Sequence, residues 1–180
     1  MQKEFCGRGQ ISVIVEVLRQ LDCRRVFLVT GKRSFESCGA RAAIDPLLDG
    51  FDVIRFNDYS ANPTFEQALT GSGLYASRNC DVIIAVGGGS AMDIAKTINV
   101  FQAFPGREIE VTTGKQVIDR ALAPLIAIPT TAGTGSEATH FSAIYMDGRK
   151  YSLATPSLLP TVSILDARFT DGLPPYITIR

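Results

Sequence analysis

Two segments of the sequence combine glycines with hydroxyl side chains at points where a strand is expected to end. The first, residues 86–96, is VGGGSAMDIAK, and the second, residues 128–139, is IPTTAGTGSEAT. Glycine lets a backbone approach a ligand closely, and the amides in the first turn of a helix are free to bind an anion. These residue types therefore predict a site for phosphate groups and for a sugar or amide that hydroxyls can bind.

In the first segment, three glycines precede the expected start of a helix. They are Gly87, Gly88 and Gly89. Asp93 stands where the third glycine of a GxGxxG fingerprint would fall, and the P-loop pattern GxxxxGK[ST] is absent, so neither motif is matched. The segment still predicts a pyrophosphate cradle. The structural alternative is a plain glycine turn in which Ser90 caps the helix and Asp93 completes a capping interaction.

The second segment is rich in hydroxyls and contains two further glycines. Thr130, Thr131 and Thr134 suit hydrogen bonding to a ribose, a phosphate or the amide of a nicotinamide. The alternative is an ordinary loop in which Ser136 or Thr134 caps a short helix.

The remaining sequence supplies the elements that must position these two segments. Apolar residues recur at helical spacing in four stretches, and short apolar runs typical of buried strands lie between them. The predicted helices cover 10–21, 35–48, 66–77 and 90–101, and the predicted strands cover 25–30, 51–56, 81–86, 124–128 and 162–166. A turn at Asp147 and Gly148, flanked by 142–146 and 150–154, predicts a β-hairpin.

Alternating strands and helices predict an α/β fold of the Rossmann-like type, an open parallel sheet with helices on both faces plus a small β-hairpin. We expect residues 1–180 to form a single domain, because no linker or repeat divides them. Ligands of such sheets bind at the carboxyl ends of the strands, where both segments lie.

Charge and composition narrow the classes of partner. Eighteen Lys and Arg residues balance eighteen Asp and Glu residues, so no electrostatic attraction favours nucleic acid or an anionic membrane. The four cysteines, without paired spacing, predict reduced thiols. The N-terminal residues lack the apolar core of a signal peptide. We therefore expect a cytoplasmic protein with a small-molecule substrate.

The combination of GGGSAMDIAK and PTTAGTGSEAT resembles the iron-containing (group III) alcohol dehydrogenase family, and the resemblance extends from RVFLVTGK to SILDARFTDGLPPYIT. It implies an oxidoreductase that transfers a hydride between NAD or NADP and an alcohol, aldehyde or ketone. In that family an N-terminal α/β domain binds the dinucleotide, and a C-terminal helical domain carries a divalent metal, iron or sometimes zinc.

The resemblance also assigns residues to the cofactor. It implies that Gly88, Gly89 and Ser90 hold the pyrophosphate and that Asp93 supports the turn and the nicotinamide side of the cleft. It further implies that the cofactor is lined by Thr130, Thr131 and Thr134 and that Lys150 reaches its ribose or adenosine portion. The alternative is that Lys150 is an exposed hairpin lysine that binds no ligand.

Gly31 stands where NAD-preferring members of the family often carry an aspartate that binds the adenosine ribose. Because that acid is missing and Lys32 and Arg33 follow, we expect NADP to be favoured over NAD. The alternative is that Lys32 and Arg33 are ordinary solvated charges in a turn.

The metal ligands of the family, an aspartate and three histidines, begin beyond the residues that correspond to LPPYITIR. The helical metal domain is thus absent from these residues, and we expect the chain to be the N-terminal half of a two-domain enzyme, inactive alone. Its only histidine, His140, is a candidate substrate-pocket residue or a hydrogen-bonded structural imidazole. An uncovered interdomain face predicts self-association, and we expect a homodimer.

The substrate is less defined than the cofactor. Residues 139–154 and the segment GKRSFESCGA resemble the branch of phosphonoacetaldehyde reductases. A stand-alone nucleotide-binding domain without chemistry is the alternative function. A dehydroquinate synthase or a glycerol-1-phosphate dehydrogenase is disfavoured by the intact PTTAGTGSEAT.

Overall fold

The computed structural model describes residues 2–173, and its larger sheet contains six parallel strands. In chain order the strands are β1 (Lys3–Cys6), β2 (Arg25–Thr30), β3 (Asp52–Phe56), β4 (Val82–Gly87), β5 (Leu125–Pro129), β6 (Phe141–Met146), β7 (Arg149–Ala154) and β8 (Val162–Leu165). The sheet order is β1-β8-β5-β4-β2-β3, and β6 and β7 form a separate antiparallel pair.

The central strands are buried on both faces, which explains their unbroken apolar sequences. In β2, Phe27 and Val29 belong to one hydrophobic core, while Val26 and Leu28 belong to the core on the opposite face. A strand covered on both sides has no polar face to display.

Helices supply both covering layers. They are α1 (Ile14–Gln20), α2 (Ser34–Ser37), α3 (Ala40–Ile44), α4 (Phe65–Ser77), α5 (Gly89–Ala103) and α6 (Glu108–Thr112). Buried residues of α1 to α3 lie in one core, and those of α4 to α6 lie in the other. The predicted α/β class, with a parallel sheet and helices on both faces, is confirmed. Within residues 2–173, no helix is long and apolar enough to cross a membrane.

The predicted hairpin is also confirmed. Asp147 and Gly148 both take positive φ, 51° and 72°, as a two-residue turn between twisted strands requires. Ile144 and Leu153 pack into the same core as α5, so the hairpin is fixed beside the helix that follows the glycine turn.

Three local predictions were wrong or incomplete. The single helix predicted over 35–48 is broken at Gly39, whose φ of 77° ends α2 and starts α3. The strand β1 was not predicted, because its four residues lie at the sheet edge and are mostly exposed. The region between α5 and β5, for which no helix was predicted, contains the short helix α6.

The strand order places a crevice between β2 and β4. From β2 the chain continues to β3 on one side, whereas from β4 it continues to β5 on the other side. The helices that follow β2 and β4 therefore diverge, and the carboxyl ends of these strands flank an opening of the kind that binds ligands in open α/β sheets.

Candidate functional site

A cleft of about 540 Å³ opens at the carboxyl ends of β2 and β4. Four stretches of chain line it: the turn after β2, the loop after β3, the turn between β4 and α5, and the loop after β5. The lining residues are Gly31, Lys32, Ser34, Tyr59, Ser60, Ala61, Gly88, Gly89, Ser90, Ala91, Thr131, Ala132, Gly133 and Thr134. The two motif segments thus meet across one cavity.

The glycine turn presents the start of α5 to this cleft. Gly88 is the N-cap residue, and no side chain caps the helix. The capping that the structural alternative predicted is therefore wrong, because neither the Ser90 nor the Asp93 side chain caps the first-turn amides. An uncapped helix start of this kind leaves N–H groups and the positive end of the helix dipole available to an anion.

The absence of side chains at the turn lets the threonine loop pack directly against it. A Cβ atom at Gly88 would lie 2.9 Å from Thr131 Oγ1, and one at Gly89 would lie 3.3 Å from Thr134 Cγ2. Side chains at these two positions would therefore push the threonine loop away from the turn, so the glycines are what allows the two segments to meet at the cleft.

Thr131 carries a buried hydroxyl for which residues 2–173 supply no hydrogen-bond partner. A buried hydroxyl without a partner costs free energy. This hydroxyl lies on the cleft wall opposite Gly88. Together with the open glycine turn, it fits a ligand that brings phosphate or hydroxyl oxygens to this place.

Thr134 lines the cleft while its hydroxyl accepts a hydrogen bond of 3.4 Å from the Ser136 amide. The predicted capping alternative is wrong, because the N-cap of the 3-10 helix Ser136–Ala138 is Gly135 and no side chain caps it. Thr134 is both a wall residue and a support for its own loop.

The loop after β3 is a part of the site that the sequence did not reveal. Ser90 Oγ donates a hydrogen bond to the Ala61 carbonyl, which holds the loop against the glycine turn. Tyr59 is buried and stacks on Phe56 at a ring-centroid distance of 6.3 Å. The one available signal was the position of this loop after a predicted strand.

Asp93 and Lys150 line a second cavity of about 310 Å³, which shares Gly89, Ser90 and Thr134 with the main cleft. Burial raises the pKa of Asp93, and the Ala143 amide and the charge of Lys150 act in the opposite direction. A carboxylate and an ammonium therefore stand at the end of the cleft that α5 and the hairpin form.

The other end of the cleft carries the turn after β2. Gly31 lies close to Ser34 Oγ, so that a side chain at Gly31 would collide with it. Lys32 forms an ion pair of 3.2 Å with Asp58, and both side chains are well exposed. Asp58 is an acid near the cleft that the sequence analysis missed, because it follows β3 rather than β2.

Three predicted site residues, Gly87, Thr130 and His140, line neither of these two cavities. The Thr130 amide donates to the Gly87 carbonyl at 3.0 Å, so these two buried residues join the strand tips behind the cavity. His140 is exposed and stacks on Phe141 at 4.1 Å. Its ring makes no hydrogen bond within residues 2–173, so the structural-imidazole interpretation is wrong for this part of the chain.

The described residues do not fit a metal. Among residues 2–173, no cluster of three or more His, Cys, Asp or Glu side chains could hold an ion. The polar groups that do converge are amides, hydroxyls and the half-buried Asp93 carboxylate. The amides suit phosphate oxygens, and the carboxylate suits hydroxyl or amide donors of a ligand.

Known proteins were compared with this chain by sequence. The choline dehydrogenase of Bacillus subtilis (strain 168) is 34% identical over 177 residues, which cover 96% of this chain and 44% of that protein. The 4-hydroxybutyrate dehydrogenase of Cupriavidus necator is 35% identical over 175 residues, covering 94% and 45% respectively. The chain spans less than half the length of these two relatives.

Solved structures share the fold. The NADH-dependent butanol dehydrogenase A of Thermotoga maritima superposes with a TM-score of 0.92 at 25% identity, over 99% of this chain and 46% of that one. The sulfoacetaldehyde reductase of Bifidobacterium kashiwanohense, in complex with NAD+, superposes with a TM-score of 0.85 at 29% identity, over 98% of this chain and 47% of that one. Residues 2–167 match the sequence profile of iron-containing alcohol dehydrogenases, and the chain belongs to that family.

Proposed function

We propose that residues 1–180 form the dinucleotide-binding domain of an NAD(P)-dependent, metal-dependent alcohol dehydrogenase or aldehyde reductase. The observation that carries the proposal is the cleft between the uncapped start of α5 and the threonine loop, with the unpartnered Thr131 hydroxyl on its wall. Its position at the divergence of β2 and β4 is the place where open α/β sheets bind nucleotides.

The diphosphate is the part of the ligand that this geometry explains best. We assign it to the amides of Gly89 and Ser90 at the start of α5, because the dipole of a 15-residue helix favours an anion there. The Ser90 hydroxyl is already bonded to Ala61, so Ser90 contributes its amide. The Thr131 hydroxyl is free to donate to a diphosphate or ribose oxygen.

The nicotinamide, when bound, supplies or accepts the hydride, and the residues of this chain bind and orient it. We assign the nicotinamide half to the cavity of Asp93 and Lys150, at the far end of the cleft from Gly31. Asp93 can accept a hydrogen bond from a ribose hydroxyl or a carboxamide. Because Lys150 shares this cavity with Asp93, we assign it to the ribose next to the nicotinamide rather than to the adenosine.

The adenosine half then lies at the turn after β2. We propose that NADP is preferred over NAD, because Lys32 and Arg33 can approach a ribose 2′-phosphate. Gly31 carries no carboxylate that would repel this phosphate. Asp58 holds Lys32 in the absence of the ligand and is the group with which a 2′-phosphate competes.

Catalysis needs more than these residues provide. Residues 2–173 supply no ligand set for a metal ion, and we assign no chemical step to a metal on them. We therefore propose that this chain alone binds dinucleotide but does not turn over, and that the metal, iron or zinc, belongs to a helical domain of the full-length enzyme.

The substrate class is a small alcohol or aldehyde. Phosphonoacetaldehyde is our specific proposal, based on the sequence of residues 139–154. The solved sulfoacetaldehyde reductase supports it indirectly, because sulfoacetaldehyde is likewise a two-carbon aldehyde with a charged oxyanion group.

The same cleft would serve a nucleotide-binding domain without chemistry, and one experiment separates the two functions. The purified chain is titrated with NADPH and NADH, and aldehyde-dependent NADPH oxidation is assayed with and without a separately expressed helical domain and ferrous iron. We expect binding by the chain alone and oxidation only after mixing. Binding without any oxidation on mixing supports the non-catalytic domain, and no binding overturns both functions.

A further inference from the structure

Lys96 is a fully buried cation in the middle of α5, and its ammonium is surrounded by backbone carbonyls. Its Nζ donates to the carbonyl oxygens of Ser136 at 2.7 Å, Thr139 at 2.5 Å and Phe141 at 3.0 Å. A fourth acceptor, Thr139 Oγ1, lies at 3.3 Å. Lys96 forms no ion pair with the carboxylates of residues 2–173.

Burying a charged lysine in a protein interior costs folding free energy. Burial lowers the pKa of Lys96 to about 8, and the charges of Asp93 and Glu137 oppose that shift through space. An apolar side chain would fill the same volume without the cost of removing an ammonium from water. The compensation comes from the acceptors: an ammonium has three hydrogens to donate, and the carbonyls around it would lose their partner if it were removed.

All of these acceptors belong to one short segment, residues 136–141. This segment contains only the 3-10 turn Ser136–Ala138 before β6 begins at Phe141. It directly follows Thr131 and Thr134, the wall residues of the cleft. Lys96 lies about two turns along α5 from Gly89, so its hydrogen bonds join the helix of one wall to the loop of the other.

Lys96 itself lines neither the main cleft nor the cavity of Asp93 and Lys150. Its influence on a bound molecule must therefore pass through the loop. Gly89 packs against the Thr134 side chain, since a Cβ at Gly89 would lie 3.3 Å from Thr134 Cγ2. Both residues line both cavities, so a shift of the loop changes the shape of the space that a dinucleotide would occupy.

We infer that Lys96 is a positioning residue of the dinucleotide site: its ammonium fastens segment 136–141 to α5 and thereby fixes the separation of the Gly89 and Thr134 walls. The inference rests on the proposed function, because it takes the ligand of the cleft to be the dinucleotide. Beyond the proposed function, the inference gives Lys96 a role in ligand binding although its buried ammonium does not contact the ligand.

The test compares Lys96→Met with Lys115→Met in the full 180-residue chain. Methionine retains most of the length of lysine and removes all three donors, while Lys115 is exposed and lines neither cavity. The calorimetric Kd for NADPH and the hydrogen exchange of backbone amides are measured for both variants and the wild type.

We expect Lys96→Met to raise the Kd about tenfold or more, because a loop that is no longer fastened must be ordered when the dinucleotide binds. Amides of residues 130–141 should exchange faster, while those of β2 and β4 keep their protection. Lys115→Met should match the wild type. A Kd and a loop exchange rate that are both unchanged in Lys96→Met would overturn the inference.

Failure of the proposed function can be distinguished from failure of the inference about Lys96. If the wild type does not bind NADPH but Lys96→Met loosens residues 130–141, the proposed function fails and the fastening by Lys96 stands. If Lys96→Met does not fold, NMR spectra of the wild type labelled with 15N-lysine test the inference instead. A slowly exchanging Lys96 ammonium signal at neutral pH that shifts on addition of NADPH supports the inference, and a rapidly exchanging or unresponsive ammonium overturns it.

Discussion

Thr131 packs directly against Gly88 where the threonine loop meets the glycine turn. A methyl group on Gly88 would lie 2.9 Å from Thr131 Oγ1, and that hydroxyl has no partner among residues 2–173. The glycine turn thus offers the amides of a helix start, and the loop beside it offers an unused donor. We propose that both bind the same anion.

The Thr131 hydroxyl can be tested separately from the shape of the loop. Thr131→Val removes a buried group without a partner, so we expect the ligand-free chain to gain roughly 1 kcal/mol in unfolding free energy. The same change should weaken NADPH binding, because the donor to the ligand is lost. Thr131→Ser is the matched control, since it retains the hydroxyl and should keep most of the affinity. Denaturant unfolding and calorimetry measure the two effects, and unchanged affinity in Thr131→Val would exclude the hydroxyl from the site.

The choice between NADP and NAD is expected to depend on Lys32 and Asp58. The wild type should bind NADPH more tightly than NADH. Lys32→Ala should reduce that preference about tenfold, because a charged contact to the 2′-phosphate is lost. Asp58→Asn should increase the preference, because it releases Lys32 from its ion pair. Competition titrations with both dinucleotides measure the ratio. Tighter binding of NADH by the wild type, lost in Asp58→Asn, would show instead that Asp58 binds the ribose.

Asp166 should control acid stability. Burial alone raises the pKa of its carboxyl, but hydrogen bonds from Arg168 and from the amides of Gly9 and Ile11 outweigh burial and hold the pKa well below its usual range. A carboxyl with a lowered folded-state pKa stabilises the fold fully above its unfolded pKa of about 4. That contribution is lost as the pH falls from about 4 toward the lower folded-state value.

The variant Asp166→Asn should therefore lose about 3 kcal/mol of unfolding free energy at neutral pH and show a flatter dependence on pH in the acid range. Asp171→Asn is the control, because Asp171 pairs with Arg8 on the surface, where both side chains are at least half exposed and little change is expected. Urea unfolding between pH 3 and pH 7, a window set roughly by the carboxyl pKa values, measures both. Equal pH dependence in Asp166→Asn and the wild type would contradict the assignment.

The sequence was sufficient for the centre of the fold. The strands β2, β4 and β5 are buried on both faces, and this burial requires the continuous apolar runs by which they were predicted. The glycine turn was also predictable, because consecutive glycines between a buried strand and an amphipathic helix are typical of a backbone that approaches a ligand closely. Edge elements carry weaker signals. The residues of β1 are mostly exposed and pair with β8 alone, so no apolar pattern marks them.

The parts of the site that the sequence did not predict depend on contacts between distant segments. Ser90 reaches the backbone of Ala61, and Lys96 reaches three backbone carbonyls. Backbone acceptors exist at every residue and leave no trace in the sequence. Asp58 was missed for a related reason, because its proximity to Lys32 follows from the pairing of β2 with β3.

The proposed dinucleotide site requires a glycine turn without side chains, against which the threonine loop packs, and calorimetric titration of Gly88→Ala with NADPH tests it most directly. Gly73→Ala is the matched control, because a Cβ at that helical position meets no atom within 4 Å. We expect one saturable site in the wild type and in Gly73→Ala, and a loss of affinity of about tenfold or more in Gly88→Ala. Equal binding by Gly88→Ala and Gly73→Ala would contradict the proposed site, because the dinucleotide would then lie elsewhere.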